Sequence, residues 1–184
     1  AADSGPYILP IAPVTIAEHT LLQVTVVAKT SSGQSGNFAY SLAGAEAGMT
    51  LDAGTGKFLW TPGESCGGSS YTVTVKAVEA TTKAEATGSF RITVTEVNDA
   101  PQIDYIPTQT VNEKETLRLN LPVTDPEGEK LTCSVVSIVP EATDRKHDAT
   151  FSGTTFIWNT TEADGPGAYT VMVEAKDPKG AAAT

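Results

Sequence analysis

The chain has 184 residues, enough for one or two domains. Acidic residues outnumber basic ones by 22 to 12, which argues against a nucleic-acid-binding protein, because such binding needs a basic face. No stretch approaches the ~20 apolar residues of a membrane-spanning helix, so we expect no direct membrane insertion.

Alternating apolar residues predict strands in the first half of the chain. The runs are LLQVTVVA (21–28), YTVTVKA (71–77) and FRITVTEV (90–97). Apolar side chains at every second position are typical of a strand with one face on a core. Turn-forming clusters, SSGQSG and DAGTG, separate these runs, and no segment shows a convincing helical period.

The second half repeats this organisation. Its strand-like runs are LRLNLPV (117–123) and YTVMVEA (169–175), with turn signals at PEGE and ADGPG. Short strands between frequent turns, about seven in each ~95 residues, predict an all-β fold of the sandwich type.

One segment occurs twice. Residues 57–77 read KFLWTPGESCGGSSYTVTVKA, and residues 155–175 read TFIWNTTEADGPGAYTVMVEA, so that Trp60 and Trp158 lie 98 residues apart. Solenoid repeats run about 20 to 50 residues, so a period of this length is a whole domain. The sequence predicts two tandem Greek-key β-sandwiches.

We place the two domains at residues 1–98 and 99–184. The first ends in the strand run FRITVTEV, whereas the second stops soon after AKDPKG. We therefore expect the second sandwich to lack its last strand, which would leave an unpaired sheet edge. The chain also starts without the basic and apolar segments of a signal peptide, and we expect Ala1 to open a mature fragment.

The two cysteines, Cys66 and Cys133, do not occupy equivalent positions in the repeat. We expect Cys133, in the apolar run LTCSVV, to be a small buried hydrophobe. A bridge between the two cysteines stays an alternative, although it would have to cross the domain boundary.

The recurring tryptophans allow two interpretations. An exposed Trp could stack on a sugar ring, as in carbohydrate-binding sandwiches. The alternation instead puts Phe58 with Trp60, and Phe156 with Trp158, on one strand face. This favours a pair of core aromatic residues in each domain.

Catalytic motifs are not evident. His19 and His147 lie in unrelated predicted loops, and neither has an obvious nucleophile beside it. We therefore expect a protein that is not an enzyme.

The domain boundary carries a motif that resembles a known family. The sequence EVNDAP (96–101), the early Glu18 and Glu113, and the turns DPEG and AKDPKG look like cadherins and their bacterial cadherin-like relatives. Residues 40–62, YSLAGAEAGMTLDAGTGKFLWTP, are similar to the dystroglycan-type cadherin-like and immunoglobulin-like repeats of large bacterial surface proteins.

The resemblance implies extracellular sandwich domains in an array, with calcium at the joints. Matching the family's ligands residue by residue gives one candidate calcium set in this chain: Asn98, Asp99, Asp125, Glu127 and Asp177. Thr30 and Ser32 stand where unit 2 has Asp125 and Glu127, so this resemblance leaves the first domain with Glu18 alone.

Chemistry permits this assignment and also an alternative. Calcium takes 6–8 oxygen ligands, many from carboxylates, and five side chains with backbone and water oxygens could supply them. The sequences DPEG and DPKG are also good turns without any metal, because Asp and Pro begin a bend that Gly ends.

The sequence therefore predicts a non-catalytic structural and adhesion module of a large secreted or surface-anchored bacterial protein. Its expected partners are neighbouring repeats of the same protein, with homophilic or polysaccharide binding also open. The alternative function is a carbohydrate-binding module that accompanies a polysaccharide-degrading enzyme.

Overall fold

A computed structural model of the chain describes residues 5–140 and 147–184. The chain divides into two compact units, Ala1–Val97 and Asn98–Thr184. Apart from two 3₁₀ turns, Glu64–Cys66 and Glu162–Asp164, the described regular structure consists of strands, so the all-β sandwich prediction is confirmed. No helix among the described residues is long and apolar enough to cross a membrane.

The described part of unit 1, residues 5–97, contains nine strands. They are β1 (Tyr7–Ile8), β2 (Val14–Ala17), β3 (Leu22–Thr25), β4 (Ala28–Lys29), β5 (Phe38–Leu42), β6 (Thr50–Leu51), β7 (Lys57–Trp60), β8 (Ser70–Glu79) and β9 (Glu85–Thr95). One sheet has the order β2-β9-β8-β5 and another β3-β7-β6, while β1 pairs with β4. The pairing of β2 with β9 is parallel, and the others are antiparallel.

Alternation along the strands builds the core of unit 1. Phe58 and Trp60 are fully buried on one face of β7. Phe58 meets Phe90 of β9 edge to face at 5.5 Å between ring centroids, and Trp60 meets Tyr71 of β8 at 5.0 Å. Such edge-to-face pairs add to the stabilisation from buried apolar area.

Unit 2 contains eight described strands. They are β10 (Gln102–Ile103), β11 (Thr116–Asn120), β12 (Val123–Thr124), β13 (Thr132–Val139), β14 (Ala149–Ser152), β15 (Thr155–Asn159), β16 (Thr170–Lys176) and β17 (Ala182–Ala183). The sheets have the orders β11-β15-β14 and β13-β16-β17, and β10 pairs with β12.

The core of unit 2 uses the matching aromatic residues. Phe156 and Trp158 are buried on β15, and Trp158 meets Tyr169 edge to face at 5.1 Å. Both tryptophans are thus core residues, which confirms the second of the two interpretations above. Cys133 is buried and both cysteines are free thiols; burial raises the pKa of the Cys133 thiol.

The last strand differs between the units. In unit 1, β9 extends over 11 residues and pairs with both β8 and β2. In unit 2, β17 has 2 residues and pairs only with Ala175 and Lys176 of β16. Among the described residues, no strand pairs with the remainder of β16 on this side.

Candidate functional site

The turn after β12 presents carboxylates at one end of unit 2. The Gly128 backbone N–H donates to the Asp125 carbonyl at 3.0 Å, and Gly128 adopts a left-handed φ of 72° that glycine accommodates. The Glu129 N–H donates to Asp125 Oδ1 at 2.9 Å. One oxygen of Asp125 therefore holds the turn, and the other is left for a different interaction.

A second turn, between β16 and β17, brings Asp177 to the same place. The N–H groups of Gly180 and Ala181 donate to Asp177 Oδ1 at 2.5 and 2.9 Å. The Asn98 side-chain amide donates to Asp177 Oδ2 at 2.6 Å. This amide, together with the backbone donors, holds the pKa of Asp177 below its ordinary value.

Carboxylate oxygens converge between these turns. Asp125, Glu129 and Asp177 each place one oxygen within 4.8 Å of the others. Glu127 Oε1 accepts a hydrogen bond of 2.7 Å from the Asp99 backbone N–H. We call this group the Asp125 cluster: Asn98, Asp99, Asp125, Glu127, Glu129 and Asp177.

Four oxygens of the Asp125 cluster are buried without a hydrogen-bond partner among the described residues. They are Asn98 Oδ1, Asp125 Oδ2, Glu127 Oε2 and Glu129 Oε2. Buried polar atoms are nearly always partnered, because desolvation without a partner costs free energy. Several such acceptors in one cluster fit a bound cation, which needs oxygen atoms with free lone pairs.

Lys179 is the one cation that the described contacts place at the Asp125 cluster. Its Nζ lies 2.8 Å from Glu129 Oε1, and its side chain is 50% exposed. Glu129 above all, and also Glu127 and Asp177, raise the pKa of Lys179. This ammonium therefore offsets part of the negative charge of Glu127, Glu129 and Asp177.

The chemistry of the donor set suits a hard divalent cation. All the side chains offer oxygen, as carboxylate or amide, and neither histidine nor cysteine belongs to the Asp125 cluster. Calcium prefers this kind of site, and backbone carbonyls and water commonly complete its shell. The residues present therefore fit the calcium ion that cadherin-like domains imply.

Of the five residues that the sequence assigns to calcium, Asp125 and Asp177 converge with Glu129. Asn98 joins them through its hydrogen bond to Asp177, and Asp99 contacts Glu127 through its backbone N–H. Sequence reasoning missed a sixth residue, Glu129, which follows the turn and donates its backbone N–H to Asp125.

A second group of acidic residues lies near Val97, the last residue of unit 1. Glu18 is 1% exposed, and its Oε1 accepts a 2.7 Å hydrogen bond from the Val97 N–H. Its Oε2 is buried and has no hydrogen-bond partner in the described part of the chain. Glu64 lies beside it, 3.1 Å from His19 Nε2, and one Glu64 oxygen is within 4.8 Å of one from Glu96.

The structure thus adds Glu64 to Glu18 and to Glu96, the first residue of the EVNDAP motif. Glu64 lies in the 3₁₀ turn Glu64–Cys66 of the sequence WTPGESC, which carries no recognisable ligand motif. Gly67 makes room for this group. A Cβ on Gly67 would lie 1.8 Å from Glu96 Oε2 and 2.7 Å from Glu18 Oε2.

Comparison with protein families supports the fold and the type of repeat. Residues 5–95 match the family model described as "Putative Ig domain", and they cover nearly all of unit 1. The prediction of a cadherin-like or immunoglobulin-like repeat is confirmed.

Solved structures give the same class of fold. The crystal structure of human protocadherin-24 EC1-2 aligns with 15% identity and a TM-score of 0.57, covering 99% of this chain and 94% of the other. A second crystal form of it aligns with 15% identity and a TM-score of 0.59, covering 95% of this chain and 87% of the other. At this identity the likeness shows the fold alone.

An endo-fucoidan hydrolase of glycoside hydrolase family 107 also aligns, with 14% identity and a TM-score of 0.40, covering 96% of this chain and 27% of the hydrolase. A TM-score this low supports no inference about fold or activity. No sequence among the curated proteins matches this chain.

Proposed function

We propose that this chain is a non-catalytic structural and adhesion module that binds calcium through the Asp125 cluster. The observation that carries the proposal is the set of four buried oxygens without partners in that cluster. A divalent cation bound by these oxygens would supply the partner that they lack and would offset negative charge of the cluster.

The chain's own residues define what such binding would do. Asn98 and Asp99 directly follow unit 1 in the sequence, Asp125 and Glu127 belong to the turn after β12, and Asp177 belongs to the turn after β16. A bound ion supplies a divalent charge that several oxygens share. Residues from three separate segments of unit 2 would then be tied to one point, and the backbone at Asn98 would lose freedom.

A structural role in an extracellular array is consistent with this chemistry. Calcium-binding modules outside cells work at ~0.1–1 mM calcium, an affinity that a partly exposed site can reach. The likeness of unit 1 to an immunoglobulin-like family and of the whole fold to cadherin domains supports an adhesion or spacer module. We assign it to a secreted or surface-anchored bacterial protein, with neighbouring repeats as partners.

The carbohydrate-binding alternative loses its strongest residues in this structure. Trp60 and Trp158 are 1% and 5% exposed, so neither offers a face on which a sugar ring could stack. Homophilic adhesion stays compatible with the proposal, because it requires only an exposed surface on a rigid module.

The test is a calcium titration followed by thermal unfolding. Ligand at ten times its Kd stabilises by about 1.4 kcal/mol, which for a domain of this size raises the Tm by roughly 5 °C. We expect this shift in the wild-type protein at millimolar calcium. The variant Asp125→Asn removes one charge and keeps the side-chain shape, and it should lose most of the shift.

Asp104→Asn is the matched control, because Asp104 is an exposed carboxylate of the same unit and the substitution is the same. It should respond to calcium as the wild type does. Terbium luminescence and cleavage after the exposed Glu96 by a glutamate-specific protease give two further readouts. An unchanged Tm together with unchanged cleavage at millimolar calcium would rule out the proposal.

A further inference from the structure

Three side chains of unit 1, none of them in the Asp125 cluster, lie together and include a histidine. One ligand atom from each of Glu18, His19 and Glu64 lies within 4.8 Å of the other two. Glu18 and His19 directly follow β2, and Glu64 begins the 3₁₀ turn Glu64–Cys66. We call this group the His19 site.

Backbone hydrogen bonds hold the two segments of the His19 site together. The His19 N–H donates to the Pro62 carbonyl at 2.8 Å, which joins the turn after β2 to the segment that carries Glu64. The Glu18 N–H donates to the Thr95 carbonyl at 3.1 Å. His19 has a left-handed φ of 59°, a conformation that few residues other than glycine adopt. The fold therefore sets the positions from which the three side chains extend.

The buried oxygen of Glu18 is the feature that calls for a ligand. Glu18 is 1% exposed, and its Oε1 already accepts the hydrogen bond from the Val97 N–H. Its Oε2 has no hydrogen-bond partner among the described residues. This oxygen faces the turn that carries Glu64, because a Cβ on Gly67, directly after that turn, would lie 2.7 Å from it. A buried carboxylate oxygen without a partner costs free energy, which a cation at this point would offset.

His19 decides which kind of cation suits the site. Its Nε2 lies 3.1 Å from Glu64 Oε2, and the two side chains are 47% and 34% exposed, so an ion can reach them from solvent. Two ligands of one tetrahedral zinc ion lie about 3.3 Å apart, since each bond is about 2.0–2.1 Å long. Calcium and magnesium take oxygen ligands, whereas imidazole nitrogen suits zinc, copper, iron or nickel. One nitrogen and two carboxylate oxygens, with water in the fourth position, are therefore a donor set for a divalent transition metal.

Unit 2 carries its own cation at the matching position. Lys114 corresponds to His19 in the repeat, and its φ of 64° is nearly the same. Its Nζ forms an ion pair with Glu162 Oε2, and Glu162 begins the 3₁₀ turn that corresponds to the one at Glu64. The glutamate of the turn thus has an ammonium beside it in unit 2 and an imidazole in unit 1. Only the imidazole can bind a metal.

We propose that Glu18, His19 and Glu64 form a binding site for one divalent transition-metal ion, zinc above all. Glu18 Oε2, His19 Nε2 and Glu64 Oε2 would be the ligands. The ion would tie the turn after β2 to the 3₁₀ turn within unit 1. The His19 site shares no residue with the Asp125 cluster and does not require that cluster to bind calcium.

The test is calorimetric zinc binding to the 184-residue protein in ~2 mM calcium, so that oxygen-only sites are already occupied. We expect the wild type to bind one zinc ion that survives this calcium. His19→Gln and Glu64→Gln should weaken zinc binding at least ~10-fold, because losing even an indirect partner of a metal ligand costs about 10–100-fold. His19→Lys, which copies unit 2, should abolish binding. Glu46→Gln, at an exposed carboxylate of the same unit, is the matched control and should bind zinc as the wild type does.

Nitrogen NMR of the imidazole rings identifies the residue that holds the ion. The chain has two histidines, and the other one, His147, is buried in unit 2. We expect zinc to shift the Nε2 signal of His19 and to leave the signals of His147 unchanged. A hydrogen bond between His19 and Glu64 with no metal role would produce no such shift.

The proposal is wrong if the wild type binds no zinc, or if zinc binds without shifting the His19 signal. It is also wrong if His19→Gln binds zinc as the wild type does. Complete displacement of zinc by millimolar calcium would overturn it too, since that behaviour belongs to an oxygen-only site. The NMR measurement uses the wild-type protein, so the test stands even where a variant folds poorly.

Discussion

Units 1 and 2 build the same turn from different side chains. Gly33 donates its N–H to the Thr30 carbonyl at 2.9 Å with φ 79°, and Gly128 donates to the Asp125 carbonyl at 3.0 Å with φ 72°. The next residue caps each turn in the same way. Gln34 N–H donates to Thr30 Oγ1 at 3.1 Å, as Glu129 N–H donates to Asp125 Oδ1 at 2.9 Å.

The difference lies in what the side chains do beyond the turn. Thr30 and Ser32 hydrogen-bond to each other through their hydroxyls at 3.0 Å. Asp125 and Glu127, at the matching positions, instead keep one buried oxygen each without a partner among the described residues. A hydroxyl suffices to hold the turn, so the carboxylates of unit 2 need another explanation, and the proposed cation binding would supply one.

Exchanging the two turns gives the largest expected effect. Asp125→Thr with Glu127→Ser copies the unit 1 turn into unit 2, and it should lower calcium affinity at least ~100-fold, because two of the charged ligands disappear. The turn itself should persist, so the Tm without calcium should stay near that of the wild type. Calorimetric calcium titration and thermal unfolding measure the two quantities.

The reciprocal exchange, Thr30→Asp with Ser32→Glu, is its control in unit 1. It should create little calcium response, because Glu79, which matches Asp177 in the repeat, already accepts a hydrogen bond from the Thr82 hydroxyl. If Asp125→Thr with Glu127→Ser left calcium binding intact, these two carboxylates would not be ligands. The difference between the two turns would then have nothing to do with calcium.

The next effect concerns stability, because both turns place a glycine in the left-handed backbone conformation. Gly33→Ala and Gly128→Ala each place a side chain in the left-handed region, which costs about 1–2 kcal/mol. A Cβ at Gly128 would meet nothing within 4 Å, and one at Gly33 only the Tyr7 hydroxyl at 3.6 Å, so sterics add little. Urea unfolding should give similar losses for both variants, and a clearly unequal pair would mean that the turns differ in more than side chains.

The alternation of apolar and polar residues made most of the strands predictable from the sequence. The runs at 71–77 and 169–175 gave β8 and β16, and the 98-residue spacing gave their equivalence. The parallel pairing of β2 with β9 was not predictable, because it joins residues about 80 positions apart and neither strand's period reveals its partner.

The candidate site was predictable where ligands sit in recognisable turns. Asp125, Glu127 and Asp177 stand in DPEG and DPKG sequences, and the structure brings them to one end of unit 2. Glu129 and Glu64 were missed for a physical reason. A single acidic residue outside a motif looks like any solvated carboxylate, and only tertiary structure shows that Glu129 loses access to water on one oxygen.

Lys179 offers a finer test of the Asp125 cluster. If this lysine competes with calcium for Glu129, then Lys179→Gln should raise calcium affinity by roughly three- to tenfold, an effect of a partly exposed charge. The same variant should be slightly less stable in EDTA, because Glu129 loses its ammonium partner. Lys130→Gln, at an exposed lysine next to Glu129 in the sequence, is the matched control. Lower calcium affinity in Lys179→Gln would mean that the lysine supports the site.

The smallest expected effect is on acid stability, and it compares one aspartate from each unit. Asp52 lies in the turn between β6 and β7, and hydrogen bonds from Thr55 and Gly54 hold its pKa below the ordinary 3.8. The pKa of Asp177 is lowered too, chiefly by the Asn98 amide. A lowered pKa means that the folded state favours the charged carboxylate. Each group therefore stabilises the fold above pH 3.8, and this contribution is lost as the pH falls from 3.8 toward the folded-state pKa.

Urea unfolding in EDTA, from about pH 6 to about pH 2.5, measures this loss. Asp52→Asn and Asp177→Asn should each be less stable than the wild type near pH 6 and should approach it at the acid end. Asp52 is exposed, so its variant should show the smaller difference, whereas Asp177 also anchors Gly180, Ala181 and Asn98. Returning calcium at pH 6 should separate the two variants. Asp52→Asn keeps the calcium-dependent rise in Tm and Asp177→Asn loses it, because only Asp177 belongs to the Asp125 cluster.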